Sequence, residues 1–228
     1  MRRLTELIRG HTPTVPQRVI AEGLTYLSAA ALEDLHRTVV RLESQRLPGI
    51  FVEAGCALGG SALVIAAAKR PERPLDVYDV FGMIPAPGDK DGPDVHHRYE
   101  EIRSGRSTGI KGAIYYGYQD HLREKVAATF DRYGFDCERC HVRLIAGLFE
   151  DTLRLDRLVA LAHIDGDWYE SVSCCLARIE PWLVPGGVLV IDDYHSWSGC
   201  RRAVDEYFAD RRDQFEWVTN ARLHIAKK

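Results

Sequence analysis

The sequence predicts an α/β fold: a mostly parallel sheet of seven strands, helices on both faces, and an antiparallel hairpin at the C-terminal end. Three observations carry that expectation. Runs such as Ile50–Ala54, Val159–Ile164 and Val188–Ile191 are almost wholly apolar, as strands buried on both faces are. Between the runs lie segments with apolar residues at three- and four-residue steps, the period of an amphipathic helix. The two patterns alternate along the chain, which is the order of β-α units around a parallel sheet.

Taken in order, Leu32, Leu35, Val39 and Leu42 predict a helix over residues 28–46, with Ser28 as its N-cap and Pro48-Gly49 as its stop. A strand over 50–54 then runs through a glycine-rich turn into a helix over 61–69. The alternation continues with strands over 75–80, 141–145, 159–164 and 188–191, and helices over 119–133, 169–183 and 200–211. Phe215–Val218 and Arg222–Ile225 flank a short turn and predict the closing hairpin. Residues 82–118 break the rhythm, with prolines, glycines and aspartates followed by a cationic run that includes Arg98, Arg103, Arg106 and Lys111. Connections this long inside a compact domain are functional or disordered, and this one follows the second strand at the carboxyl edge of the sheet. It is expected to be a substrate lid.

At 228 residues and 46% hydrophobic content, the chain is expected to form one domain, with residues 1–47 as a helical extension and a plausible homodimer surface. A net charge of -3 and a pI near 6.3 offer no footprint for a phosphate backbone, so a small-molecule or oligosaccharide partner is expected and nucleic acid is not. The N-terminal MRRLTELIRGH lacks the apolar stretch of a signal peptide, and no membrane span is evident, so a cytoplasmic location is expected. Six irregularly spaced cysteines read as reduced thiols. Cys137-Glu-Arg-Cys140-His141 matches a haem-attachment pattern formally, but it falls between a helix and a strand and reads as a surface turn.

Two features carry chemistry. The first is Glu53-Ala-Gly55-Cys-Ala-Leu-Gly59-Gly-Ser61, a turn after the first parallel strand in which glycine lets a ligand approach the backbone. Its G-x-x-x-G-G spacing is not the dinucleotide fingerprint, which disfavours a nicotinamide cofactor. Asp79 closes the second strand, where it could accept ribose hydroxyl hydrogen bonds. The second feature is stronger. Asp165-Gly-Asp167 and Asp192-Asp193 each lie just past the carboxyl end of a predicted buried strand, so adjacent strands would gather four carboxylates in one crevice. Such a cluster repels itself unless a cation or shared protons offset the charge, and hard oxygen ligands suit Mg²⁺. The plainer alternative is that these aspartates cap the two helices that follow.

At these residues the sequence resembles the macrocin O-methyltransferase family. The likeness spans about residues 24–210 and rests on Phe51-Val-Glu-Ala-Gly55 with Gly59-Gly60-Ser61, on Gly147-Leu-Phe149-Glu-Asp151-Thr-Leu, on Ile164-Asp-Gly-Asp-Trp-Tyr-Glu-Ser171, and on Pro185-Gly-Gly with Ile191-Asp-Asp-Tyr194. The resemblance implies a class I methyltransferase, Rossmann-like fold with S-adenosylmethionine as donor and Mg²⁺ on Asp165, Asp192 and Asp193. It implies Asp167 as general base and a cofactor site drawn from Glu53, Gly55, Gly59, Ser61, Asp79, Phe149 and Asp165. His195 is a reserve base. Where the family reads Asp-Ser-Phe-Glu-Gly, this chain has Asp79-Val-Phe-Gly-Met83, a departure at the cofactor rim and lid.

The expected reaction is methyl transfer to a hydroxyl of a sugar or glycoside, on an antibiotic sugar or a polysaccharide precursor, with the metal activating the acceptor. A catechol could chelate the same ion. Asp165-Gly-Asp167 also matches the D-x-D of metal-dependent glycosyltransferases, a reading that leaves the glycine turn and Asp192-Asp193 unexplained.

Overall fold

The computed structural model describes residues 13–228, so the first dozen residues of the expected extension and the MRRLTELIRGH segment lie outside the described residues. Helices α1 (Val15–Ala21) and α2 (Ala29–Ser44) open the described chain. The Ser28 hydroxyl accepts from the Ala31 amide at 3.2 Å, the cap expected of it. Among the described residues no helix is long and apolar enough to cross a membrane.

The sheet has seven strands in the order β3-β2-β1-β4-β5-β7-β6. Strands β1 (Ile50–Ala54), β2 (Leu75–Asp79), β3 (Val142–Ala146), β4 (Val159–Ile164) and β5 (Leu183–Ile191) run parallel. Strands β6 (Phe215–Thr219) and β7 (Leu223–Lys227) form the expected hairpin, with β7 antiparallel to β5. β1, β2 and β4 are buried at every position, which is why their sequences show no polar alternation, whereas the edge strand β3 exposes Arg143.

Alternate residues feed two cores. Phe51, Val77, Leu161, Val188 and Val190 pack under α1, α2, α3 (Gly60–Ala68) and α5 (Leu122–Arg132). Val52, Ala54, Ala162, Ile164 and Leu189 pack under α7 (Tyr169–Ile179) and α8 (Ser198–Phe208). The architecture is the α/β fold the sequence predicts. The order of strands reverses between β1 and β4, the place where open α/β sheets leave a crevice beyond the strand ends.

Three expectations change in detail. The helix read over 169–183 stops at Ile179, because Pro181 has no amide hydrogen for a helical bond, and a 3₁₀ turn covers Glu180–Trp182. β5 starts at Leu183 rather than Val188, its Pro185-Gly186-Gly187 stretch absorbed as a register shift against β4. The connection 82–118 contains a helix, α4 (Pro93–Arg103), with Pro93 at the first position where a missing amide hydrogen is harmless. A one-turn helix, α6 (Phe149–Thr152), follows β3. The six cysteines are free, and Cys137 and Cys140 are half-buried in the turn ahead of β3.

Leu161 lies fully buried on the central strand β4. Leu161→Ala should lower unfolding free energy by about 2–5 kcal/mol, read as a lower urea midpoint with an unchanged slope.

Candidate active site

Parallel pairing aligns Ala54, Ile164 and Ile191 across β1, β4 and β5. The next residue of each strand, Gly55, Asp165 and Asp192, therefore stands in one row at the carboxyl edge. The row is tied by backbone bonds from the Asp165 amide to the Ala54 carbonyl at 2.9 Å and from the Asp192 amide to the Ile164 carbonyl at 3.0 Å. Gly55 adopts φ +90°, and a Cβ there would lie 1.9 Å from the Asp165 carbonyl oxygen. Glycine is required because the two turns touch.

A cavity of about 330 Å³ opens above this row. Gly55, Asp79, Phe149 and all four aspartates of the two pairs line it. From the segment 82–118 come Ile84, Pro85, Arg98, Ile102, Tyr115 and Tyr116. Asp79 has both carboxylate oxygens engaged: Oδ2 accepts from the Cys56 and Ala57 amides at 2.7 and 3.0 Å, and Oδ1 from the Phe81 amide at 2.6 Å. Oδ1 keeps a lone pair for a further donor.

Three of the residues expected at the cofactor do not line the cavity. Glu53 is fully buried beneath it, one oxygen accepting from the Ser61 hydroxyl and the other facing His163 Nδ1 at 3.0 Å. Ser61 is spent on that bond. Gly59 takes φ +86° as the N-cap of α3, and a Cβ there would meet Val126 at 2.9 Å, so its role is in the turn itself. His195, the reserve base, is exposed, stacks edge-on against Tyr194 and does not line the cavity.

The four aspartates divide by environment. Ligand atoms of Asp165, Asp167 and Asp193 lie within 4.8 Å of one another. Asp192 turns aside, its Oδ1 accepting from Arg222 Nε at 2.6 Å and lying 3.6 Å from His163 Nε2. Burial opposes charge on Asp192, but the His163 and Arg222 cations outweigh it and hold the carboxyl below its usual range. Burial, then the charges of neighbouring carboxylates, pushes Asp165 and Asp167 well up, and pushes Asp193 to about 6. Asp193 Oδ2 is buried with no hydrogen-bond partner. Asp167 sits in the left-handed region at φ +54°, which an aspartate tolerates better than most residues, and its Oδ1 accepts from the Trp197 indole at 3.1 Å.

The capping alternative fails on geometry. The N-caps of α7 and α8 are Trp168 and Trp197, and neither side chain makes a capping bond. The capping carboxylates come from elsewhere: Asp91 Oδ1 accepts from the Tyr169 amide at 2.8 Å, and Asp94 Oδ2 from the Ser198 amide at 2.9 Å. Both belong to the segment 82–118. The acidic pairs are thereby left free to face the cavity.

Sequence reasoning missed His163, Arg222 and Trp197. The first had a signal, since a histidine inside an otherwise apolar buried strand needs a partner. Burial alone would depress His163, but the charge of Glu53, with Asp192 beyond it, raises it to about 10. The ring thus stands between the Glu53 carboxylate of β1, at hydrogen-bond distance, and the Asp192 carboxylate past β5, 3.6 Å away and not hydrogen-bonded. Nothing in the local sequence marks Arg222, which reaches Asp192 only because β7 inserts beside β5.

The sequence model of the macrocin-O-methyltransferase (TylF) family matches residues 16–216. A tetracenomycin-pathway enzyme of Streptomyces olivaceus, named 8-demethyl-8-(2,3-dimethoxy-alpha-L-rhamnosyl)-tetracenomycin-C 4'-O-methyltransferase, is 33% identical over 190 residues, covering 80% of this chain and 67% of that protein. Demethyldecarbamoylnovobiocin O-methyltransferase of Streptomyces niveus is 30% identical over 196 residues, covering 83% and 69%. The solved structure of the O-methyltransferase NovP superposes with a TM-score of 0.73 at 26% identity, covering 90% of this chain and 82% of that one.

His163→Leu leaves a buried glutamate without its cation and should cost about 3–5 kcal/mol of stability. Glu53→Gln combined with His163→Leu should recover a large part of that loss in urea unfolding. Equal destabilisation of the single and double variants would show that the pair is not coupled.

Proposed function

Because the chain belongs to the macrocin O-methyltransferase family, and is an S-adenosylmethionine-dependent O-methyltransferase, we propose that it methylates a sugar hydroxyl of a glycoside at the Asp165/Asp167/Asp193 cluster with a divalent ion bound there. The observation that carries this reading is the cluster itself: three carboxylates within 4.8 Å of one another, one with an orphaned buried oxygen. An all-oxygen donor set of this charge fits Mg²⁺, and the upward pressure on these carboxyls is the electrostatic load that such an ion would remove.

Asp165 and Asp193 hold the ion in this reading; Asp192 lies outside the 4.8 Å group and would join the set by turning the oxygen not committed to Arg222 toward them. Asp167 stays outside the set as general base. The Trp197 indole occupies its Oδ1 and leaves Oδ2 to take the proton from the acceptor hydroxyl. The donor lies along Gly55, Asp79 and Phe149, with Asp79 Oδ1 accepting from a ribose hydroxyl. Bound Mg²⁺ supplies Lewis acidity that lowers the pKa of a coordinated hydroxyl. Tyr26, Tyr115 and Tyr116 give the acceptor ring flat apolar surfaces to lie against, and the segment 82–118 serves as the lid that excludes water.

The proposed acceptor class is taken from the relatives, whose names specify a rhamnosyl tetracenomycin and a demethyldecarbamoylnovobiocin. A vicinal diol on such a sugar could chelate the ion and fix the attacking oxygen in line with the sulfonium. α2 offers the surface for a homodimer, with Val40 exposed on it.

Methyl transfer from labelled cofactor to a panel of rhamnosides and catechols, with Mg²⁺ and with excess chelator, tests the reading. Turnover should follow the sugars and vanish in chelator; full activity in chelator would overturn the metal role. Asp167→Asn should lower kcat by about 10²–10⁴-fold with Mg²⁺ affinity retained. Asp192→Ala should weaken Mg²⁺ binding while cofactor binding, read by calorimetry with S-adenosylhomocysteine, stays near native. If Asp167→Asn loses the ion and Asp192→Ala keeps it, the two roles are exchanged.

A further inference from the structure

The loops that end β4 and β5 have the same irregular design. Each carries an acidic pair, ends in a tryptophan at the helix N-cap, and borrows its capping carboxylate from the segment 82–118. Tryptophan has no acceptor oxygen, so at both positions the first free helical amides would lack a side-chain partner without that loan. An N-cap serine or aspartate would cap α8 more simply. The indole at 197 does something those residues could not.

Trp197 touches both acidic turns at once. Its backbone amide donates to the Asp193 carbonyl at 3.0 Å, and its indole N–H donates to Asp167 Oδ1 at 3.1 Å. Its ring packs edge-on against Trp168, with centroids 5.7 Å apart, and the Trp168 indole donates to the Pro85 carbonyl at 2.9 Å. The next residue, Ser198, is held by Asp94 through two bonds, amide to Oδ2 at 2.9 Å and hydroxyl to Oδ1 at 2.5 Å. Asp94 stands in the first turn of α4, so the N-termini of α4 and α8 share one carboxylate, an arrangement both helix dipoles favour. The fit is close: a Cβ on Gly92 would lie 2.3 Å from the Ser198 hydroxyl.

We propose that Asp94 is a positioning residue for the methyl transfer: by capping α8 it fixes Trp197, whose indole N–H holds the Asp167 carboxylate. Docking of the segment 82–118 and placement of the base are then one event. When the segment lifts, the α8 cap is lost and Asp167 loses its fixed partner; when it docks over an acceptor, the base is set. The mechanistic meaning rests on Asp167 as the base, but the mechanical link does not.

Hydrogen exchange of the tryptophan indoles by ¹⁵N NMR reads the link in the full chain without acceptor or metal, with Trp197→Phe assigning the Trp197 resonance. Asp94→Ala should speed Trp197 indole exchange by about fivefold or more, the size of a lost cap, while the buried Trp217 indole on β6 is unchanged. Asp94→Asn, which retains a capping oxygen, should restore most of the protection. Ser198→Ala removes one of the two bonds and should give a smaller acceleration in the same sense. Unchanged Trp197 exchange in folded Asp94→Ala overturns the proposal. So does equal acceleration at Trp197 and Trp217, which would mean only general loss of stability. Either failure leaves the assignment of Asp167 intact, because that stands or falls on the Asp167→Asn kinetics.

Discussion

The site depends on the register of three parallel strands. Ladder bonds fix Ala54, Ile164 and Ile191 side by side, so whatever follows them is forced into one row above the sheet. A slip of one residue in any of the three would turn Asp165 or Asp192 toward a helix layer, or drive a side chain into the space Gly55 leaves open. The register is held in turn by burial on both faces, since each strand must present one apolar set to α2 and α3 and another to α7 and α8. Core packing and chemistry are therefore the same constraint seen from two ends.

Above that row, charge is distributed by alternation. Glu53, His163, Asp192 and Arg222 form a run of anion, cation, anion and cation from beneath β1 to the hairpin. His163 Nδ1 meets Glu53 and Arg222 meets Asp192 at hydrogen-bond distance, whereas His163 Nε2 faces Asp192 at 3.6 Å without a hydrogen bond, and the run ends at one of the four cavity aspartates. The other three have no protein cation within salt-bridge distance among the described residues, and Asp193 keeps an oxygen with no partner at all. The proposed ion site rests on this cluster, three carboxyl groups that the fold leaves without a neighbouring cation.

Much of this was legible beforehand, for a physical reason. Apolar strands, glycine at the β1 turn and doubled aspartates past two strand ends are local patterns, and local patterns survive in a linear reading. Ser28 as a cap and the closing hairpin are of the same kind. The residues whose surroundings differ from the expectation are those engaged by a distant partner. Glu53 and Ser61 have sequence positions compatible with a ligand contact, but their bond to each other and the Glu53–His163 contact turn both into the core. Asp91 and Asp94 carry no local mark of a capping role, and only the folded chain brings them to helix ends nearly eighty and more than a hundred residues away. Helix α4 was the exception, since proline at its first position was a readable start signal that the surrounding glycines and prolines obscured.

The position of Arg222 also ties the acidic row to the hairpin. All four aspartates are synthesised by residue 193, but the cation that neutralises Asp192 follows some thirty residues later and reaches it only when β7 threads antiparallel between β5 and β6. Until β7 pairs with β5, Asp192 has only His163, at 3.6 Å, as a neighbouring cation. Seating β7 beside β5 is therefore what brings the second cation to Asp192, so the hairpin and the acidic row are completed by one and the same contact.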